Sequence, residues 1–191
     1  MPLRRLPQII LIAFTAPLAW LLMQVVHECG HALMGWLTGG TVTRVILHPL
    51  TISRTDLDEN PHPLLVCWAG PVFGSIAPVL LWLVARVTKW SGEFWLRFFA
   101  GFCLITNGAY LAVGSIDRIG DAGDLLKHGS PNWMLWLFGA VTISIGLRLW
   151  HGLGQSFGLG PQPSSIRWPA ALIVVGALLV TVIVETLLSG R

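Results

Sequence analysis

Residues 6–37 read LPQIILIAFTAPLAWLLMQVVHECGHALMGWL, and Gly39-Gly40 follow closely. Residues 6–26 contain no Asp, Glu, Lys or Arg, which is enough length to cross a bilayer as a helix. The helical reading continues through His-Glu-Cys-Gly-His at 27–31 to Leu37, where the glycine pair stops it. At 1.5 Å per residue such a helix is about 48 Å long, against a hydrocarbon core of about 30 Å. It must tilt, kink at Pro17, or end in a protein-lined cavity. A cleavable signal peptide does not fit, because the apolar run is too long for an h-region.

Outward from this segment, residues 64–85, 98–116, 129–150 and 168–188 are also apolar and long enough to span. Backbone polar groups in lipid must be satisfied internally, so these are helices, and the lack of period-two alternation disfavours a barrel. Composition agrees: 54% of the 191 residues are hydrophobic and 11% charged, where soluble domains carry roughly 25% charged. Trp36, Trp90, Trp95, Trp133, Trp150 and Trp168 fall near the span ends, where interfacial aromatics belong. The expected fold is all-α and polytopic, a single multi-pass domain over 1–191 in contact with the lipid bilayer. About five transmembrane helices are joined, after the first, by a short membrane-associated β segment within 41–54. Residues 56–63 read as a polar loop and 152–165 as a flexible one rich in Gly and Pro. The net charge of +3 is scattered, with no nucleic-acid stripe. Cys29, Cys67 and Cys103 lie in apolar runs and do not suggest disulfides.

Connectivity orders these parts in space. Spans one, three and five run one way, two and four the other. The His-Glu cluster, Gly70 and Gly74 near the start of span two, and Asp117, Asp121 and Asp124 after span three therefore share one membrane side. Arg4, Arg5, Arg86, Lys89, Arg97, Arg148 and Arg167 share the other side, seven basic residues against five, which weakly turns that side toward the cytoplasm.

Positions i and i+4 of a helix share a face, so His27 and His31 can reach one ion while Glu28 stands beside it. This HExxH pattern supplies two metal ligands and a general base. Zinc held by three protein groups keeps a fourth position for water and lowers its pKa to about 7; Glu28 would take the proton and pass it to the leaving amine. Chance would give the pattern in roughly four such compositions in a thousand. Ionisable groups inside a span are costly and mark function, and a cation would compensate these.

The third ligand is open on the residues alone: Asp117, Asp121, Asp124, His48, His62 and His128 are candidates. Asp117, Asp121 and Asp124 would share a face if helical. Asn107, polar within span three, can contact substrate or another helix. Gly70 and Gly74, spaced i and i+4, suit close helix packing, with substrate contact at Gly70 the alternative. Glu185 is expected to reach the interface or to pair with Arg191.

The stretches HECGHALMGWLTGG at 27–40, AGPVFG at 69–74 and GDAGDLLKHGSPNWMLW at 120–136 together resemble the site-2 protease family of membrane metalloproteases, more narrowly its small bacterial M50B-like members. The resemblance implies one catalytic zinc ion, His27 and His31 as ligands, Glu28 as base, and peptide hydrolysis within the membrane. It also implies an Asp as third ligand, and Asp121 holds the matching position, with Asp124 and Asp117 as alternatives. The family's Asn-x-x-Pro…Asp-Gly segment is not reproduced: Tyr110 stands at the Pro position after Asn107, and no Asp-Gly occurs. The resemblance implies a bacterial cell membrane and a metal site nearer the cytoplasm, the opposite sense to the charge count.

Three functions follow. The first is a zinc-dependent intramembrane endopeptidase acting on a single-span membrane protein, whose locally unwound chain could add to the β segment. The second is a non-proteolytic metal-binding membrane protein of the same fold, acting through protein interactions. A small transporter, the third, would want ionisable residues spread through several spans.

Overall fold

The computed structural model describes residues 5–161 and 164–189. Among them are six α-helices: α1 (Leu6–Leu37), α2 (Pro63–Val87), α3 (Glu93–Asp117), α4 (Gly120–Lys127), α5 (Asn132–Trp150) and α6 (Trp168–Ser189). An antiparallel hairpin, β1 (Thr41–Ile46) and β2 (Arg54–Glu59), lies between α1 and α2. All the helices except α4 are long and apolar enough to cross a membrane. The five-span reading and the β segment after the first helix both hold.

α3 is the central helix, with 56% of its spanning window buried, whereas α6 buries only 17% and presents the rest outward. Small residues bring α3 and α5 together. A Cβ on Gly139 would lie 2.8 Å from the Gly108 carbonyl oxygen, and one on Gly146 would lie 2.8 Å from that of Gly101. Backbones this close are how helices associate where lipid supplies no hydrophobic drive. Ala19 and Met23 of α1 pack on Phe99 and Cys103 of α3, next to the site. Ala122 and Leu125 of α4 are fully buried against Leu111 of α3 and Leu135 of α5.

α1 covers 6–37 as expected and runs through Pro17 as one helix. Several other boundaries differ from expectation. α3 begins at Glu93, not 98, because Glu93 and Arg97 lie at its end and can be charged without entering lipid. The fourth span starts at Asn132, not 129, because Gly129 turns at φ +93° and Pro131 is extended; the short α4 precedes it. Residues 56–59 belong to β2, not to a loop. Their charges hid an alternation in which Leu57 turns toward Gly35 of α1. The 152–165 segment is anchored rather than loose. A 3-10 turn, Leu153–Phe157, buries both its end residues, Phe157 against Leu11, Leu18 and Val174. The Gln8 side-chain amide donates to the Phe157 and Gly158 carbonyls. Residues 162–163 of that segment lie outside the described residues. Glu185 is buried, with His48 of the hairpin loop as a nearby charged group, and Arg191 lies outside the described residues.

Candidate metal centre

His27 and His31 sit on the buried face of α1, one turn apart, about two-thirds of the way along it. The far nitrogen of each ring is committed. His27 Nδ1–H donates to Asn107 Oδ1 at 2.7 Å, and His31 Nδ1–H donates to the Val66 carbonyl at 2.8 Å. Each neutral ring therefore presents an unprotonated Nε2. The two Nε2 atoms lie 3.0 Å apart, and Asp121 Oδ2 lies 2.8 Å from that of His27 and 3.3 Å from that of His31. His27, His31 and Asp121 form the one such group among the described residues.

Chain reversal brings Asp121 there. Arg118 closes α3 in the left-handed region at φ +54°, and its neighbour Ile119 N–H bonds back to the Gly114 carbonyl. α4 then starts at Gly120, where a Cβ would collide with the Tyr110 hydroxyl. That hydroxyl accepts the Asp121 backbone N–H at 3.1 Å. Burial tends to raise the Asp121 pKa; with both Nε2 atoms unprotonated, a cation held between the three groups is what would keep the carboxyl ionised.

The other third-ligand candidates stand elsewhere. Asp117 ends α3 and is exposed, and the reversal takes it off the face of Asp121 and Asp124. Asp124 lines the same cavity as the histidines but is not in their ligand group. His48 Nδ1 accepts the Leu50 N–H within the hairpin loop; His62 and His128 cap α2 and α4 and are exposed.

Asn107 and Gly70, offered by sequence as substrate contacts, stand against the imidazoles, and Asn107 also lines the cavity. Asn107 is buried, and its Nδ2 donates to the Cys103 carbonyl at 2.9 Å, which aims Oδ1 at His27. A Cβ on Gly70 would collide with His31 Nε2 and lie 2.8 Å from His27 Nε2. A Cβ on Gly74 would lie 2.9 Å from Asn107 Nδ2. The two glycines pack helices together, as their spacing suggests, but what they admit is the ligand set and its support.

Glu28 is buried, and both its oxygens are held by the hairpin. Ser53 Oγ donates to Oε1 at 2.8 Å and Thr55 Oγ1 to Oε2 at 2.7 Å. The Ser53 N–H also donates to Gln24 Oε1 one turn earlier on α1, at 3.0 Å. Sequence reasoning missed Ser53, Thr55, Gln24 and Tyr110. Only the period of α1 could have flagged Gln24, which precedes Glu28 by four residues; the others depend on long-range folding. A cavity of about 760 Å³ joins these groups, with His27, Glu28, His31 and Asp121 on one wall and Ile52 to Leu57 on another.

A family model described as Peptidase M50B-like matches residues 8–111, more than half of the chain. The matched region holds α1, the hairpin, α2 and most of α3, and stops before Asp121. Neither a curated protein nor a solved structure gives a match.

Proposed function

The chain belongs to the M50B-like peptidase family, and from that premise we propose that this integral membrane protein is a zinc-dependent endopeptidase that cuts membrane-protein substrates within the bilayer. The observation that carries the reading is the meeting of two buried Nε2 atoms 3.0 Å apart with one carboxylate oxygen, where each neutral ring, bonded through Nδ1, turns a lone pair inward. Lone pairs so close repel unless a cation lies between them. The fit to zinc is good. Bonds of about 2.0–2.1 Å in a tetrahedron set ligand atoms roughly 3.3 Å apart, and the separations here run from 2.8 to 3.3 Å.

His27, His31 and Asp121 would hold the ion and leave one position open. Bound there, zinc would polarise the scissile carbonyl and acidify a water. Glu28 takes the water's proton on its carboxylate and hands it to the leaving amine. Asn107 and the Val66 carbonyl keep the imidazoles in the ligating tautomer. Ser53 and Thr55 fix the carboxylate that moves the proton. Substrate carbonyls in a helix are hydrogen-bonded, so the substrate enters unwound. The edge of β2 that does not pair with β1 is available for strand addition beside the cavity. A single-span protein of a bacterial cell membrane is the expected substrate.

Zinc content and cleavage of a single-span substrate in reconstituted bilayers, for wild type and Glu28→Gln, test this. Wild type should bind one zinc and cleave. The variant should keep the zinc and lose about 10²–10⁴-fold in rate. Zinc in both proteins with cleavage by neither, over a range of substrates, would favour the non-proteolytic metal-binding reading instead.

A further inference from the structure

At the opposite end of the helices from the metal centre lies a second cavity, of about 620 Å³. Arg86 in the last turn of α2, Lys89 in the link to α3, Arg97 of α3 and Arg148 in the last turn of α5 line it, with Glu93 the single carboxylate. Connectivity alone brings these residues to one membrane end: α2 and α5 finish there, and α3 starts there.

The cations are not used up by the fold. Among the described residues, none of the four makes an ion pair. Glu93, the nearest acid in sequence, accepts the indole N–H of Trp82. Arg86 lies over that same ring, 5.5 Å from its centre, and Arg97 donates to the His151 carbonyl at 2.9 Å. Arg86, Lys89 and Arg148 are otherwise exposed. Four like charges held around one hollow repel each other, and an anion relieves that repulsion. Guanidinium groups match phosphate oxygens in geometry as well as charge.

We propose that this cavity binds the phosphate of an anionic phospholipid headgroup, which ties the ends of α2, α3 and α5 together. The position selects the lipid over a soluble phosphate. The cavity sits where the spans end, and Trp82 and Trp90 line it as interfacial aromatics do. Acyl chains would continue onto the outward apolar faces of the same helices, where Leu83 and Val87 of α2 and Ile145 of α5 are exposed. Basic pockets between spans are a recurring way of holding such headgroups.

Native mass spectrometry of the full chain released from detergent micelles tests this. The micelles carry phosphatidylglycerol, phosphatidylcholine, or phosphatidylglycerol with excess soluble glycerol phosphate. One phosphatidylglycerol should be retained at least about tenfold over phosphatidylcholine, and glycerol phosphate should not displace it. Each basic residue near an anionic surface is worth about fivefold in binding, so Lys89→Gln with Arg148→Gln should lose roughly 25-fold. Both positions are exposed, and an unchanged melting temperature without lipid shows that the variant folds. Arg167→Gln removes a charge from the same membrane side outside the cavity and should keep the lipid. Equal retention of phosphatidylcholine, displacement by glycerol phosphate, or an equal loss in Arg167→Gln would each overturn the proposal.

Discussion

His27, Glu28 and His31 ride on a 32-residue helix, whereas Asp121 rides on one of eight residues and Thr55 on a six-residue strand. On α1 the helical period itself sets the separation of the two imidazoles. Asp121 is positioned by the left-handed Arg118, the buried Ala122 and Leu125, and the Tyr110 hydroxyl. Ser53 is positioned by bonds back to α1, and Thr55 by such a bond together with its pairing to Val45 of β1. The long helix thus carries geometry that one helix can dictate, and short elements deliver what must come from elsewhere in the chain. Substitutions in the two groups should fail differently.

The largest effect expected is at Asp121. Asp121→Asn removes the ligand charge and should empty the site of zinc and of activity together, beyond the roughly 10–100-fold that losing a supporting bond costs. Asp117→Asn and Asp124→Asn should keep zinc at one per chain. Zinc stoichiometry in the purified single variants checks this, and a zinc-replete Asp121→Asn would remove α4 from the metal centre.

Gly70→Ala tests the α1 side. Alanine favours a helix over glycine by about 1 kcal/mol, so on propensity alone the variant should be more stable. The added methyl meets both imidazoles, and zinc affinity should instead fall by about 10–100-fold. A zinc titration showing wild-type affinity would mean that the rings have room to retreat. Asn107→Leu should weaken zinc by a similar factor, because His27 loses the bond that sets its tautomer. A raised KM with unchanged zinc affinity would return Asn107 to substrate binding.

The same division decides what could be read without the structure. The spans were legible because lipid demands long apolar runs, and the HExxH pair because helical periodicity makes i and i+4 neighbours. Asp121 was one of several candidates until resemblance singled it out, since no local pattern records that the chain reverses at Arg118. The charged strand at 56–59 and the anchored Phe157 were misread because burial against a distant helix, not local composition, orders them. Ser53 and Thr55 carried no signal, as hydroxyls in a loop and strand are common.

The smallest expected effect belongs to those two hydroxyls. Each bond to the Glu28 carboxylate is charge-assisted, worth about 1.5–3 kcal/mol where it forms, but water in the open cavity can replace a missing donor. Ser53→Ala or Thr55→Val alone should therefore lower kcat by only about threefold, and the pair by about tenfold. Zinc content should not change, because neither residue touches the ligand set. If the hydroxyls position the base, the double variant is slower at every substrate concentration and KM moves little. If they instead hold Glu28 away from the reacting water, the double variant is faster than wild type, and the hairpin restrains the base it touches. The sign of that change in kcat, measured with Glu28→Gln as the floor, separates a support from a restraint.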